Sequence, residues 1–168
     1  MNTPLVSAIV VNWNGGAMLR DALASLFAQT WPALEVILVD NASSDGSAEQ
    51  AERCFGDKLV VIRNAKNEGF AGGNNAGFRA AKGQWVFLLN SDAVCDPDVI
   101  AELMQFAADK PDVGQLACRV VREDQPNFFD STGLLLYPDG VCRSRGWQEK
   151  NLGQYDRAEE VLAPHGCA

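Results

Sequence analysis

The segment VSAIVVNWNGG, residues 6–16, joins a run of mostly β-branched apolar residues to an abrupt polar turn. The run Val6–Asn12 predicts a buried strand, and the asparagines and glycines after it predict a turn. Apolar side chains then recur at helical spacing from Met18 to Phe27. A strand that is apolar on both faces, followed by a helix, indicates the first half of a βαβ unit in a parallel sheet.

The same alternation continues through the first two-thirds of the chain. Three further strands are predicted, at Leu34–Asp40, Leu59–Arg63 and Gln84–Asn90. Three further helices are predicted. A capping box of Ser47 and Gln50 opens the first, and the second follows a glycine-rich loop and runs to about Ala81. The third has Asp96 as its N-cap and Pro97 at its first position, and it runs to about Ala108. Strands that alternate with helices in this way predict a parallel sheet covered on both faces.

Beyond about Gln115 the pattern changes to short strands and turns. The segments are GQLACRVV, FDSTGLLLYPDGVCRSRG, which contains a Pro-Asp-Gly turn, and EVLAPHGCA. The sequence therefore predicts the α/β class, with a mostly parallel central sheet and a mixed, partly antiparallel C-terminal end.

Composition narrows the range of functions. The 168 residues are enough for one domain with a real core, and a net charge of −8 with pI near 4.6 argues against nucleic acid as a partner. The five cysteines form no C-x-x-C pair and His165 is the sole histidine, so a zinc site is not expected. A reduced, cytoplasmic compartment fits these thiols. We expect neither a leader peptide nor a membrane span.

Polar residues follow all four predicted strands. They are NWNGG after the first strand, Asp40-Asn41 after the second, NAKNEGFAGGNN after the third and Asn90-Ser91-Asp92 after the fourth. Ligands of open α/β sheets bind beyond the carboxyl ends of the strands, so these groups converge on one rim. Carboxylates and amides on this rim could bind a base and ribose. The glycine backbone could bind a diphosphate, and Asp92 could bind a divalent cation.

Several of these features have simpler explanations. The glycines of Gly69–Gly77 follow strand three rather than strand one, which argues against a dinucleotide fingerprint and leaves close helix–sheet packing open. Asp40 could cap a turn with the serines after it. Trp13 could be a core residue, and Asp92 a solvated turn residue. The argument for a site depends on the combination of polar groups at four successive strand ends.

The motifs taken together resemble inverting family 2 glycosyltransferases, in particular their bacterial rhamnosyltransferase-like branch. The resemblance is carried by VVNWN, VDNASSDG and NEGFAGGNN, which correspond to V-x-N-[WY]-N, V-D-N-x-S-x-D-G and N-x-G-[FY]-x-x-x-x-N. It is strong from about Val6 to Val113 and loose beyond. It implies the GT-A fold, a Rossmann-like three-layer sandwich, and transfer of a hexose-type sugar from a nucleoside diphosphate, with deoxythymidine diphosphate rhamnose as the first donor to consider.

The resemblance also implies roles for individual residues. Asp40 would accept a hydrogen bond from a pyrimidine N–H, and Asp92 would hold Mg²⁺ or Mn²⁺ as the last acidic position of a D-x-D-type motif that here reads Asn90-Ser91-Asp92. The remaining nucleotide-binding positions would be Val11, Trp13, Asn67, Gly69 and Asn75. Residues 1–113 would form the donor half of a single domain, and residues 114–168 the start of the acceptor half.

In the family the catalytic base lies further along the chain, so we expect it beyond Ala168 and expect residues 1–168 alone to be inactive. The implied acceptor is a carbohydrate or a lipid-linked molecule, namely a cell-surface polysaccharide or glycolipid. The reaction is expected to take place in the cytoplasm, at the inner face of the membrane. Peripheral membrane association and homo-oligomerisation remain open. Two alternatives also remain open: a nucleotide-binding module or inactive relative, and an NAD-dependent oxidoreductase.

Overall fold

The structure, a computed structural model, describes residues 3–166. Its contacts divide the chain into two compact units, the first ending at Asp109 and the second running from Lys110 to Gly166. The first unit alternates strands and helices: β1 (Val6–Asn12), α1 (Gly16–Phe27), β2 (Leu34–Asp40), α2 (Ser47–Phe55), β3 (Leu59–Arg63), α3 (Gly69–Ala80), β4 (Trp85–Asn90) and α4 (Val99–Ala108). A short 3₁₀ turn, Gly56–Lys58, precedes β3.

The four strands form one parallel sheet in the order β3-β2-β1-β4. In its register Asn12 lies beside Asp40, and Val11 lies beside Asn90. The carboxyl ends of the strands therefore meet at one edge, as the sequence predicted. The chain moves from β1 outward to β3 and then returns to the other side of β1 for β4, so the strand order reverses between β1 and β4.

Helices cover both faces of this sheet. Alternate residues Ile9, Ile37 and Val39 pack with Ala76 of α3 on one face. Leu19, Leu23 and Leu26 of α1 are fully buried, and α1 contacts α2. Because side chains of a strand alternate between faces, the neighbours of Ile9 and Val39 point toward α1 and α2. The result is the predicted three-layer α/β arrangement.

The glycine-rich segment differs from the prediction, because Gly69–Gly77 lies inside α3 and is not a loop before it. A Cβ atom on Gly77 would lie 2.5 Å from Ile9 Cγ2, and one on Gly73 would lie 2.5 Å from Val11 Cγ1. Close approach of helix and sheet is therefore the reason for glycine at these two positions. A helix here also excludes the phosphate-binding turn that a dinucleotide fingerprint requires.

Replacing Gly77 with alanine should destabilise the first unit. The overpacking costs about 1–3 kcal/mol, and the higher helix propensity of alanine offsets about 1 kcal/mol of that cost. Chemical denaturation of the Gly77→Ala variant would measure the net loss. The same substitution in an Ile9→Ala background should cost less, because the three Ile9 atoms nearest to the new methyl group are then gone. An equal cost in both backgrounds would contradict this packing explanation.

Two predicted helix starts were wrong. Helix α2 begins at Ser47 itself, with Gly46 (φ +75°) at the N-cap position, and the Asp45 carboxylate accepts from the Ser47 amide at 3.1 Å. Helix α4 begins at Val99, with Asp98 at the N-cap position rather than Asp96. The reason at α4 is tertiary: the carbonyls of Asp96 and Pro97 accept hydrogen bonds from Gln29 and Thr30, just after α1, which holds these residues outside the helix.

The second unit contains two small antiparallel sheets. Strand β5 (Val120–Val121) pairs with β6 (Phe129–Ser131), and β7 (Leu134–Leu136) pairs with β8 (Cys142–Ser144). The predicted Pro-Asp-Gly turn joins β7 to β8, where the amide of Gly140 donates to Tyr137 O at 2.9 Å. Antiparallel strands are thus present in two of the three predicted segments but form sheets of their own, whereas the described part of EVLAPHGCA forms only an isolated bridge from Ala163 to Leu134. The last two residues of the predicted terminal segment lie outside the described residues.

Within residues 3–166, every helix is too short or too polar to cross a membrane.

Candidate functional site

An open cleft of about 260 Å³ lies at the carboxyl ends of the strands in the first unit. It is lined by residues from the ends of β1 and β4, from the loop after β2 and from the start of α3: Val11, Trp13, Asn41, Asn67, Gly69, Phe70, Asn90, Ser91 and Asp92. The cleft lies where the strand order reverses, which is the position at which open α/β sheets bind ligands.

Five of the seven predicted site residues line this cleft, namely Val11, Trp13, Asn67, Gly69 and Asp92. The indole of Trp13 is 60% exposed, so Trp13 is not the core residue that the sequence left open. An exposed aromatic face in a cleft is available to stack on a flat ligand such as a nucleobase. The structure therefore brings together an aromatic wall, amide groups and a carboxylate.

The other two predicted residues, Asp40 and Asn75, are not among the lining residues. Asp40 is 5% exposed; its carboxylate accepts hydrogen bonds from Asn12 Nδ2 at 3.1 Å and from the Ser43 amide at 3.3 Å. Strand alternation places Asp40 beside Asn12, on the opposite face of the sheet from Val11. Asn75 lies on the exposed face of α3. Their roles in binding remain predictions.

Asn12 is the centre of a buried polar network that shapes the loops around the cleft. Its Nδ2 group donates to Asp40, to Ser43 Oγ at 3.0 Å and to Ser47 Oγ at 2.9 Å. Its Oδ1 accepts from the amide of Gly15 at 3.1 Å. One fully buried side chain thereby joins the turn after β1, which carries Trp13, to the loop after β2.

Asp45 makes a second connection between these loops. Its carboxylate accepts from Ser47 Oγ at 2.6 Å and from the amide of Gly16, the first residue of α1, at 2.9 Å. The Ser47 hydroxyl, with smaller help from the Ser47 and Gly16 amides, holds the pKa of Asp45 below its usual value. This exposed carboxylate therefore lies at the N-termini of α1 and α2, where negative charge is favoured.

Three asparagines fix the start of α3. Asn41 Nδ2 donates to Gly69 O at 3.1 Å, and Asn64 Nδ2 donates to Asn41 Oδ1 at 2.7 Å. The Gly69 amide donates to Asn67 Oδ1 at 2.8 Å. Amides in the first turn of an α-helix have no acceptor within the helix, so the N-terminus of α3 at the cleft suits an anion.

The predicted site residues do not include Phe70, which is 52% exposed and lines the cleft next to Gly69. A bulky aromatic residue immediately after a helix-starting glycine is the signal that could have identified it. Asn41, by contrast, belonged to the predicted rim, although no individual role was assigned to it.

The donor set at the end of β4 suits a cation that a phosphate ligand helps to hold. Within residues 3–166 no three His, Cys, Asp or Glu side chains are grouped as a metal site. Asp92 is exposed and lines the cleft with Asn90 and Ser91. Magnesium commonly binds through one or two carboxylates together with substrate phosphates, and Asp92 meets that requirement.

Comparison with known proteins agrees with this geometry. The succinoglycan biosynthesis protein ExoO of Rhizobium meliloti is 30% identical over 71% of this chain. The mannosyltransferase PcManGT from Pyrobaculum calidifontis, solved with GDP-Man and Mn²⁺, superposes with a TM-score of 0.65 and 30% identity over 73% of this chain. TarS from S. aureus, solved with UDP-GlcNAc, gives a TM-score of 0.63 and 26% identity over 71% of this chain.

The chain spans only part of each of these proteins: 36% of ExoO, 37% of the PcManGT chain and 36% of the TarS chain. A family model described as glycosyl transferase family 2 matches residues 7–167, which is nearly the whole sequence given. The match includes the strand ends and the cleft between β1 and β4. The chain belongs to glycosyl transferase family 2.

Proposed function

We propose that this chain contains the donor site of an inverting glycosyltransferase that takes a sugar from a nucleoside diphosphate. The observation that supports this proposal is the cleft at the switch point of the sheet. Trp13, the N-terminus of α3 and Asp92 line it together. An aromatic face suits a base, and a helix N-terminus suits a diphosphate. A carboxylate suits a divalent cation.

In this proposal each part of the donor has its own partner in the cleft. The base stacks on Trp13, and the diphosphate lies near the first turn of α3 beside Asn67 and Gly69. A divalent cation at Asp92 would neutralise the charge that builds up on the diphosphate as it departs. Mg²⁺ and Mn²⁺ both suit an oxygen-rich donor set of this kind.

The proposal also names a donor and an acceptor to test. Deoxythymidine diphosphate rhamnose is the first donor to test, because the motifs resemble the rhamnosyltransferase-like branch. GDP-Man and UDP-GlcNAc, which PcManGT and TarS hold, are the comparison donors. The similarity to ExoO supports a polysaccharide acceptor. We place the reaction in the cytoplasm, at the inner face of the membrane.

A second candidate is a nucleotide-binding module that performs no transfer. Among the nine described residues that line the cleft, Asp92 alone is acidic, and the proposal assigns it to the cation. A general base for the acceptor hydroxyl must lie within hydrogen-bond reach of that hydroxyl. An assay that detects transfer of the sugar to an acceptor therefore distinguishes the transferase from the binding module.

Replacing Trp13 with alanine should weaken nucleoside diphosphate binding by about 1–3 kcal/mol, the usual range for stacking of a base on an aromatic side chain. Isothermal titration calorimetry would measure the change. Trp147→Ala is the matched control, because Trp147 is similarly exposed, at 58%, but belongs to the second unit. Equal affinity in the Trp13→Ala and Trp147→Ala proteins would remove the indole of Trp13 from the site.

The proposed function is tested with a panel of ligands. Titrations with UDP, dTDP, GDP and NAD, each with and without Mn²⁺, should show binding of at least one nucleoside diphosphate that Mn²⁺ strengthens. Mass spectrometry of donor and acceptor mixtures would then report transfer. Tighter binding of NAD than of every nucleoside diphosphate would contradict the proposal, and binding without transfer would favour the second candidate.

A further inference from the structure

The loop that carries Asp92 is fixed at two ends. At its start, strand β4 ends at Asn90, which lies in register with Val11 of β1. At its far end, residues Cys95 to Asp98 and Ile100 form hydrogen bonds with Ser25 of α1 and with two residues just after that helix. Ser25 lies in the last turn of α1, and Gln29 and Thr30 follow the end of that helix. We call these three residues the α1 clamp.

Gln29 makes the largest share of these contacts. Its Nε2 group donates to Asp96 O at 2.8 Å and to Cys95 Sγ at 3.4 Å. Its Oε1 accepts from the amide of Ile100 at 3.1 Å. A single side chain therefore holds both the segment before α4 and the first turn of α4.

Ser25 and Thr30 hold the same segment on either side of Gln29. Ser25 Oγ accepts from the Cys95 amide at 3.2 Å. The amide of Thr30 donates to Pro97 O at 2.9 Å, and its hydroxyl donates to Asp98 Oδ1 at 2.8 Å. Together the three residues of the α1 clamp contact the backbone or side chain of each residue from Cys95 to Asp98.

Between the two fixed ends lie only four residues, Ser91 to Val94. Asp92 and Val94 are exposed, Val94 at 67%, and the amide of Ala93 donates to Asn90 O at 3.2 Å. Four residues span only a short distance, so the place at which the clamp holds Cys95 limits where Asp92 can lie.

We propose that the α1 clamp positions Asp92, and that it thereby sets how strongly the cleft holds a divalent cation together with a nucleoside diphosphate. The inference rests on the proposed function, because it requires Asp92 to contact the cation. Groups that orient a metal-binding carboxylate usually change metal affinity by about 10- to 100-fold when they are removed. Ser25, Gln29 and Thr30 are positioning residues in this account and do not touch the ligand.

The simpler explanation is that the clamp only docks α4 on α1. Gln29 Oε1 accepts from an amide of the first turn of α4, and such amides need a partner outside the helix. A docking role predicts lower stability in clamp variants and no specific effect on the cation. A positioning role predicts a loss of the metal-dependent part of binding that stability does not explain.

The test compares two clamp variants with a destabilised control. Gln29→Met keeps the length of the side chain and removes its polar atoms, and Ser25→Ala removes the acceptor for Cys95. Gly83→Ala is the control, because its Cβ would lie 2.7 Å from the Ser7 amide, at the amino ends of the strands and away from the cleft. For each protein, the affinity for UDP, dTDP and GDP is measured by calorimetry in EDTA and in saturating Mn²⁺.

We expect both clamp variants to lose about tenfold in the Mn²⁺-dependent gain in affinity, with affinity in EDTA unchanged within about twofold. Gly83→Ala should keep the full gain, and Ser25→Thr, which retains a hydroxyl, should restore most of it. If Gln29→Met and Ser25→Ala keep the full Mn²⁺-dependent gain in affinity, the positioning role is overturned. An equal loss of that gain in Gly83→Ala would also overturn it. Nucleoside diphosphate binding without any Mn²⁺-dependent gain in the unmodified chain would instead overturn the role of Asp92 in the proposed function, and the clamp inference with it.

Discussion

Replacing Asn12 with alanine is expected to lower the free energy of unfolding by about 3–5 kcal/mol. The side chain is fully buried and satisfies several groups at once, among them the Asp40 carboxylate and the Gly15 amide. A buried polar group that loses its partner costs about 1–3 kcal/mol, and a charged group costs more. Urea denaturation of the Asn12→Ala protein, followed by circular dichroism, would measure the loss.

Asn75→Ala is the matched control for Asn12→Ala. Asn75 is exposed on α3, and alanine is the better helix former, so the stability of that variant should change by no more than about 0.5 kcal/mol. A loss below 1 kcal/mol in Asn12→Ala would mean that the network adapts without Asn12. In that case Asn12 would not be the residue that holds the turn carrying Trp13 against the loop after β2.

Replacing Asp92 with asparagine is expected to abolish the gain in nucleoside diphosphate affinity that Mn²⁺ gives. Asparagine keeps the shape of the side chain and removes the negative charge, and Asp92 is the acidic residue among the described lining residues of the cleft. A hard divalent cation prefers anionic oxygen ligands, so the neutral amide should hold it weakly. Because Asp92 is exposed, stability should change by less than about 0.5 kcal/mol.

Asp96→Asn tests whether the effect is specific to Asp92. Asp96 is an exposed carboxylate four residues further along the same loop, and its backbone carbonyl rather than its carboxylate contacts Gln29. This variant should retain the full gain with Mn²⁺. If metal strengthens binding equally in the Asp92→Asn and unmodified proteins, the cation is held elsewhere or by the diphosphate alone.

The strands of the first unit could be predicted almost to the residue, because each is a short apolar run that a polar residue ends. The predicted bounds of β1, β2 and β3 agree with the structure, and β4 begins one residue later. Helix starts were harder. The start of α4 depends on hydrogen bonds from Gln29 and Thr30, which lie about 70 residues earlier in the chain, and no local pattern reports such contacts.

Helix α3 shows a conflict between local propensity and packing. Glycine is a poor helix former, so its abundance in residues 69–77 predicted a loop. The structure forms a helix there because Gly73 and Gly77 allow α3 to approach Val11 and Ile9 closely. The sequence had suggested that reason for the glycines, but not that the helix would include them.

The candidate site was predictable as a rim and less so as a set of side chains. Polar segments at the ends of parallel strands must converge, which is why NWNGG, with Trp13, and Asp92 were expected on one rim. Val11 was assigned only through the family resemblance. The side chains of Asn12 and Asp40 alternate away from that of Val11, and the period of a strand could have predicted this separation. Phe70 was missed although it occupies the [FY] position of the motif N-x-G-[FY]-x-x-x-x-N, because no role was assigned to that position.

The central claim is that the cleft between β1, β4 and the start of α3 binds a nucleoside diphosphate. The most direct measurement is a nuclear magnetic resonance titration of the isotopically labelled chain with UDP, dTDP and GDP in the presence of Mg²⁺. The account predicts that the indole N–H of Trp13 and the amides of Gly69, Phe70 and Asp92 shift first and together, while the indole of Trp147 stays unchanged. Shifts confined to residues 110–166, or no shift with any of the three nucleotides, would contradict it.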